Sequence, residues 1–109
     1  MSSHLKLNCL ISGEHASRVF SVEIASTGSV DSLKKAIMSD NPDIGNLPAR
    51  ALGLFKVSFP VDESLGQNLI EYKPKKEDLL SPMDMLWEVW RYNPDSKHLH
   101  IIVQIGEFV

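Results

Sequence analysis

His98 and His100 are the first candidates for a chemical role, as a pair of metal ligands. Because one residue separates them, their side chains would point to the same side of a strand. Such a pair can bind zinc or copper when further ligands converge on it. The remaining histidines, His4 and His15, flank the first predicted strand at opposite ends, so no third ligand joins the pair. We therefore expect no metal site and interpret the pair as surface residues of a half-exposed strand.

Cys9 is the next candidate, as a nucleophile. A catalytic cysteine needs a neighbouring base, a group that orients the base, and access for the substrate. Cys9 instead falls among the odd-numbered apolar positions of residues 5–11, which predicts a small buried side chain. The sequence also lacks a glycine-rich phosphate loop and the Gly-x-Ser-x-Gly and His-Glu-x-x-His patterns. We therefore expect no catalytic residue, no cofactor and no enzymatic activity.

A short basic run, Lys73-Pro74-Lys75-Lys76, matches the pattern of a nuclear-import signal. The acidic pair Glu77-Asp78 follows at once and weakens its field, so an ordinary exposed loop is the competing interpretation. With a formal net charge of -3, the chain as a whole does not favour nucleic acid as a partner.

The length and composition favour one folded domain over residues 1–109. The chain is 43% hydrophobic and 23% charged, and a chain of this size can bury roughly 60–70% of its unfolded surface. No apolar run approaches the roughly 20 residues needed to cross a bilayer, so we expect no membrane span. The N-terminus lacks the basic start and the long apolar stretch of a signal peptide, so export would not use an evident signal peptide.

Alternating apolar residues predict a hairpin near the N-terminus. Residues 5–11 have the period of a half-buried strand, and residues 19–24 repeat it with their even-numbered side chains facing the core. Gly13 lies between the two and can adopt the positive φ that a tight turn requires.

The main helix is predicted to begin after Ser29. The Ser29 hydroxyl can accept a hydrogen bond from an amide of the first turn. Val30, Leu33 and Ile37 recur at spacings of three and four, which gives the helix one apolar face. Asn41-Pro42 ends it, because the residue before a proline is pushed out of the helical conformation.

A third strand is predicted over residues 51–58, with Leu52 and Leu54 facing inward. Phe55 and Val57 then point to the opposite side, unless the glycine between the first two marks a bulge.

The pattern of residues 61–80 predicts a stretch that is mostly loop, with a short strand or turn at residues 69–72. Ser81 and Pro82 then predict the start of a short second helix, because serine caps a helix and proline suits its first position. The residues of this helix expected in the core are Leu86, Val89 and Trp90. The chain closes with a strand rich in β-branched residues that holds Leu99, Ile101, Val103 and Ile105.

These elements predict an α+β fold. A helix that connects strands on one face of a sheet requires two packed layers. The economical arrangement is the ubiquitin-like β-grasp, in which a mixed sheet of four or five strands packs on one main helix, with a second short helix beside it. In the known topology of that fold, the first and last strands lie side by side and parallel in the centre of the sheet.

Strand parity predicts an interaction surface on the outward face of this sheet. A partly apolar face rimmed by lysine and histidine is the kind of patch that binds a protein partner or a second copy. The competing interpretation is that residues 61–80 fold back and cover it. A second group, Trp87 and Trp90 with Met83 and Met85, is expected to be mostly core, with one tryptophan exposed or covering the long loop. The residues predicted to form the outward face are Lys6, Asn8, Leu10, His98, His100 and Ile102.

Five segments, taken together in order and spacing, carry a family resemblance. They are residues 6–13, 29–37, 52–57, 80–83 and 98–103. They resemble the N-terminal domain of Crinkler proteins, which are effectors of oomycetes and some fungi, and the likeness runs from about Leu5 to Ile105. It implies a ubiquitin-like header associated with secretion or translocation into a host cell and, for many full-length members, action in the host nucleus. The variable C-terminal effector domain that the family implies is absent from this sequence, so its activity is not carried over.

The resemblance also gives a role to the predicted third strand. The Leu-Phe-Leu-Ala-Lys translocation motif of oomycete members falls on Leu54-Phe55-Lys56 without its Leu-Ala pair. The segment is also similar to the Leu-x-Leu-Trp-Lys-Val form of fungal members with phenylalanine in place of tryptophan, which favours a fungal-type member. A linear tag would be hidden inside a folded strand, so we expect a structural role first. The residues of this translocation-motif-like strand are Leu52, Leu54, Phe55, Lys56 and Val57.

The sequence therefore predicts a non-enzymatic ubiquitin-like header of a secreted Crinkler-type effector. The resemblance implies that it serves delivery into the host cell, with the host nucleus as a further destination, and contact with a host protein or a second copy. The alternative is an intracellular ubiquitin-like adaptor of the Ras-binding type, which shares the fold.

Overall fold

The computed structural model describes residues 4–45 and 47–106. Short 3-10 turns lie at Ala16–Arg18, Pro42–Ile44, Ala49–Ala51 and Lys76–Asp78. No helix within the described ranges is long and apolar enough to cross a membrane. The strands and helices are, in chain order, β1 (His4–Ile11), β2 (Phe20–Ala25), α1 (Val30–Asp40), β3 (Leu52–Pro60), α2 (Leu65–Glu71), α3 (Leu86–Val89) and β4 (His98–Ile105).

The strands of the described residues form one mixed sheet in the order β2-β1-β4-β3. β1 pairs antiparallel with β2 and parallel with β4, and β3 pairs antiparallel with β4. The first and last strands therefore lie side by side in the centre of the sheet. Together with the helix α1 on one face, this topology confirms the predicted ubiquitin-like β-grasp.

The hairpin of β1 and β2 forms as its alternation predicts. Gly13 has a φ of +91° in the turn that follows β1, a conformation that other residues rarely adopt. Leu5, Leu7 and Cys9 are buried on the side of α1, and Val22 of β2 joins them there.

The helix α1 begins where its cap predicts. Ser29 Oγ accepts a hydrogen bond from the Ser32 amide at 3.2 Å, and Asn41 ends the helix. Val30, Leu33 and Ile37 are fully buried against the sheet. The helix is held in place by this apolar face, because short helices are marginal without tertiary packing.

The prediction that Ser81-Pro82 starts a helix is wrong. Residues 81–84 form a turn, in which the Asp84 amide donates to the Ser81 carbonyl at 3.0 Å, and α3 begins only at Leu86. The Pro82 and Asp84 carbonyls instead accept hydrogen bonds from the first amides of α1, at 3.2 Å and 2.9 Å. The turn is favoured because those amides have no acceptor within their own helix.

The predicted loop at residues 61–80 contains the helix α2, so the short strand or turn expected at residues 69–72 is wrong. Leu65, Leu69 and Tyr72 recur at helical spacing, and all three pack on the sheet. Gly66 and Asn68 are poor helix formers. Their low propensity hides the helix in the sequence, and burial of its apolar side overrides that propensity.

The buried apolar side chains of residues 4–45 and 47–106 form two clusters, one on each face of the sheet. The first holds α1, Leu86 and Trp90 against the sheet, and the second lies between the sheet and α2. The predicted inward positions Leu52 and Leu54 belong to the first cluster. The pairing of β3 with β4 is irregular between Lys56 and Phe59 rather than at Gly53. The buried members of the second cluster are Leu10, Phe55, Leu65, Leu99 and Ile102.

Candidate protein-interaction surface

The outward face of the sheet is covered, so the prediction that it forms an exposed patch is wrong for most of its residues. Lys6 is exposed and His98 is partly exposed. α2 lies over the apolar part of the face, around Leu10 and Ile102, as in the competing interpretation of residues 61–80. Asn8 and His100 are instead hydrogen-bonded to the chain that leads into β4. The predicted members of the patch that are buried are Asn8, Leu10, His100 and Ile102.

The buried side chain of Asn8 links β1 to the chain that leads into β4 by hydrogen bonds. The Asn8 Nδ2 amide donates to the Ser96 carbonyl at 2.9 Å and to the His98 carbonyl at 2.7 Å. Its Oδ1 accepts a hydrogen bond from Ser21 Oγ of β2 at 2.8 Å. The side chain thus meets its hydrogen-bonding needs inside the protein, which a buried amide requires.

His15, His98 and His100 each have polar partners, and both His98 and His100 lie near Asp95. His98 Nδ1 lies 2.9 Å from Ser58 Oγ, and its Nε2 lies 3.9 Å from Asp95 Oδ2. His15 Nδ1 accepts a hydrogen bond from the Ser17 amide and caps a 3-10 turn. Among the residues that the structure describes, no three side chains of histidine, cysteine, aspartate or glutamate come together as a metal site.

Cys9 is fully buried in the first cluster, as predicted from the alternation of β1. Burial raises the pKa of the Cys9 thiol to about 12, and the Asp40 carboxylate adds to this effect. A buried cysteine that stays a thiol at neutral pH is a poor nucleophile.

A cleft of about 460 Å³ lies between β3 and the chain that follows α2, and Lys56, Phe59, Tyr72 and Lys75 contribute to its lining. The Tyr72 hydroxyl donates a hydrogen bond to Asp78 Oδ2 at 3.0 Å. Burial and this carboxylate raise the pKa of Tyr72 to about 12. A phenol held in this way stays protonated near neutral pH, so it does not offer the cleft a base.

The basic run of residues 73–76 is exposed and connects α2 to the following 3-10 turn. Pro74 lines a small cavity together with Leu10 and Ile102. The run is therefore part of the covering segment rather than a free loop, although its lysine side chains face solvent.

The translocation-motif-like strand is the core of β3. Leu52, Leu54 and Phe55 are buried, with the two leucines on the α1 side and Phe55 under α2. Lys56 is exposed and Val57 is partly buried. The backbone of this stretch is paired with β4, and the Leu80 amide donates to the Leu54 carbonyl at 2.9 Å. The motif therefore presents Lys56 outward while its apolar side chains hold the two clusters together.

Exposed apolar side chains concentrate in the segment around α3. Met83 is 84% exposed, Trp87 is 53% exposed and Tyr92 is 86% exposed, whereas Trp90 is buried. This confirms that one tryptophan belongs to the core and the other does not. We name Met83, Trp87 and Tyr92 the α3 surface. The sequence offered no sign of Tyr92 beyond its place beside a Pro-containing turn.

The α3 surface is held on a fixed backbone. The Leu86 amide donates to the Gly28 carbonyl at 2.9 Å, and the Trp87 amide donates to the Ser26 carbonyl at 3.1 Å. These bonds attach the segment to the connection between β2 and α1. Exposed aromatic residues and methionine are the side chains enriched in protein interfaces, so this surface is the best candidate for contact with a partner.

Comparison with known proteins gives a family and a fold. A model of the family described as the Crinkler effector protein N-terminal domain matches residues 5–104. No curated protein matches the chain. Among solved structures, the NMR structure of the Arabidopsis thaliana protein At2g32350 is similar, with a TM-score of 0.56 and 16% identity over 99% of this chain and 93% of that chain. At that identity the likeness shows the fold alone.

Proposed function

The chain belongs to the family of Crinkler effector N-terminal domains, and from this membership we propose that it is the non-enzymatic header of a secreted effector. In this proposal the domain serves delivery into the host cell and contact with a protein partner. It performs both as a folded unit, and what a partner meets is its outer surface.

The observation that carries the proposal is the position of the translocation-motif-like strand. Leu52 and Leu54 are fully buried, and the strand is paired along β4. Exposing the two leucines to a receptor would cost roughly 1.5–3 kcal/mol for each side chain and would break the sheet. A receptor that reads the folded domain meets neither cost, which supports recognition of the surface rather than of a linear tag.

The states of the Cys9 thiol and the Tyr72 phenol support a header that acts by contact. Cys9 is buried with a raised pKa, and Tyr72 is held by Asp78. The α3 surface offers two aromatic side chains and a methionine on a backbone fixed by hydrogen bonds. Because hydrogen bonds already hold the backbone at Trp87, this part of the surface needs little backbone ordering on binding.

The experiment compares substitutions on two exposed apolar regions, the α3 surface and the outer side of α2. The variant Trp87→Ser with Tyr92→Ser removes most of the α3 surface, and Ile70→Ser is the matched control, since Ile70 is 79% exposed on α2. We expect the double variant to reduce delivery of a reporter fused to the domain into host cells by at least tenfold, with unchanged thermal stability. The control should leave delivery unchanged. If the double variant delivers as well as the wild type, the role assigned to the α3 surface is wrong.

A further inference from the structure

The ring of His100 takes the place of a backbone partner in the centre of the sheet. The parallel pairing of β1 with β4 begins at Cys9 and Ile101. One residue earlier, the Asn8 amide donates not to a carbonyl of β4 but to Nδ1 of His100, at 2.9 Å. The other ring nitrogen, Nε2, lies 2.6 Å from the Asp95 carbonyl. The imidazole thus bridges β1 and the loop that precedes β4.

The two partners fix the protonation state of the ring. A backbone amide can only donate, so Nδ1 must carry a lone pair. A carbonyl oxygen can only accept, so Nε2 must carry the hydrogen. His100 is therefore neutral in the folded domain. A second proton would have to sit on Nδ1, where it would face the hydrogen of the Asn8 amide.

The surroundings of the ring do not favour a positive charge. His100 is 2% exposed. Asp95 of the preceding loop favours the protonated ring, whereas His98, on the same strand, opposes it. β1 and β2 place Asn8 and Ser21 next to this region, and both are uncharged. Burial is the largest effect and lowers the pKa of His100 below its ordinary value.

We propose that His100 is a pH-sensitive latch, which joins β1 to the start of β4 while it is neutral and releases it when a proton enters the ring. The segment that would be freed is the loop of residues 94–97 with the first residues of β4. The Ser96 and His98 carbonyls lie in this segment, so the hydrogen bonds that they accept from the Asn8 side chain would be lost at the same time.

The direction of the pH effect follows from the shift. A histidine whose pKa is lower in the folded state binds fewer protons there than in the unfolded chain between the two pKa values. The contribution of His100 to the free energy of unfolding is therefore fully present above the ordinary histidine pKa of about 6.5. It falls as the pH drops below that value. In that window the equilibrium constant for opening rises by up to about tenfold per pH unit, because one proton is taken up.

The first experiment is native-state hydrogen exchange of the wild-type chain followed by NMR between about pH 5 and pH 7. Intrinsic exchange slows in proportion to hydroxide as the pH falls. For the Asn8 amide, the growing population of the open state should offset this, so its exchange rate should become nearly independent of pH. Amides of α1 that exchange through local opening, with the His100 ring still in place, should continue to slow. A parallel fall for the Asn8 amide and the α1 amides would overturn the latch, as would a nitrogen spectrum that places the hydrogen on Nδ1.

The second experiment uses substitutions. His100→Asn offers an oxygen near the position of Nδ1 but cannot be protonated, and His15→Asn is the control on an exposed histidine. We expect the difference in unfolding midpoint between about pH 5 and pH 7 to shrink in His100→Asn and to persist in His15→Asn. The reverse pattern, or the same pH dependence in all three proteins, would contradict the proposal. If His100→Asn does not fold, the exchange experiment on the wild type decides.

Discussion

The ammonium of Lys56 lies 2.8 Å from the carbonyl oxygen of Val89 and 5.8 Å from the centre of the Trp90 ring. The exposed member of the motif-like strand is thus attached to the end of α3 by a hydrogen bond and a cation–π contact. A charge of this kind near an aromatic face contributes about 0.5–1 kcal/mol at an exposed site. The strand and the α3 surface are therefore parts of one folded unit.

Leu54→Ala tests whether the motif-like strand is structural. Leu54 is fully buried in the first cluster, so its truncation should lower the free energy of unfolding by about 2–5 kcal/mol. Lys56→Gln, two residues further along the same face but with an exposed side chain, should lower it by no more than about 1 kcal/mol. Urea denaturation measures both. Equal, small losses would show that the strand does not hold the core.

Leu10→Asp tests whether α2 covers the outward face of the sheet. Leu10 is 2% exposed in the second cluster, so a carboxylate there would be buried without a partner. We expect the free energy of unfolding to fall by more than about 4 kcal/mol, a large part of the stability of a typical domain. The neighbouring Lys6→Asp, on the exposed part of the same strand, should leave the stability and the circular dichroism spectrum unchanged. A Leu10→Asp protein as stable as the wild type would mean that the face is open in solution.

Gly66→Ala tests the assignment of α2 as a helix. A methyl group at Gly66 would meet no atom within 4 Å. Alanine should raise the free energy of unfolding by up to about 1 kcal/mol, because it favours the helix. Gly13→Ala is the matched contrast, since Gly13 has a φ of +91° and should lose stability. A loss of stability in Gly66→Ala would argue against a helix there.

Cys9 reports on the integrity of the first cluster. Because burial raises the pKa of its thiol to about 12, the thiolate is scarce at pH 8 in the folded protein. A thiol reagent such as dithionitrobenzoate should react slowly with the native chain and rapidly with the chain in denaturant. Rapid labelling of the native protein would show that Cys9 is accessible and that the first cluster opens readily.

The elements with strong periodicity could be predicted from the sequence. The hairpin, α1 and β4 each show apolar residues at the spacing of their secondary structure, and Ser29 marks the start of α1. The burial of Cys9 and Trp90 followed from the same patterns. These positions are fixed by local alternation and by packing on one face, which a single sequence displays.

Features that depend on contact with a distant segment of the chain could not be predicted. Strand parity placed His100 on the outward face. Its ring instead lies between β1 and β4, where Nδ1 accepts a hydrogen bond from the Asn8 amide. Residues 81–84 form a turn because they accept hydrogen bonds from the start of α1. The helix α2 is stabilised by Leu65 and Leu69 on the sheet, against the low propensity of Gly66. Each outcome depends on a contact between segments distant in sequence.

Delivery should survive a change in the sequence of the motif that leaves the fold intact. Leu52→Met with Leu54→Met alters the linear sequence while nearly conserving volume, at a cost below about 1.5 kcal/mol for each position. The measurement is the amount of a fused reporter that enters host cells, divided by the folded fraction of each protein at the assay temperature. We predict the same ratio as for the wild type, because the domain is delivered as a folded unit. Loss of delivery by a variant that remains folded would show that the leucines are read as a linear tag, and would contradict the account.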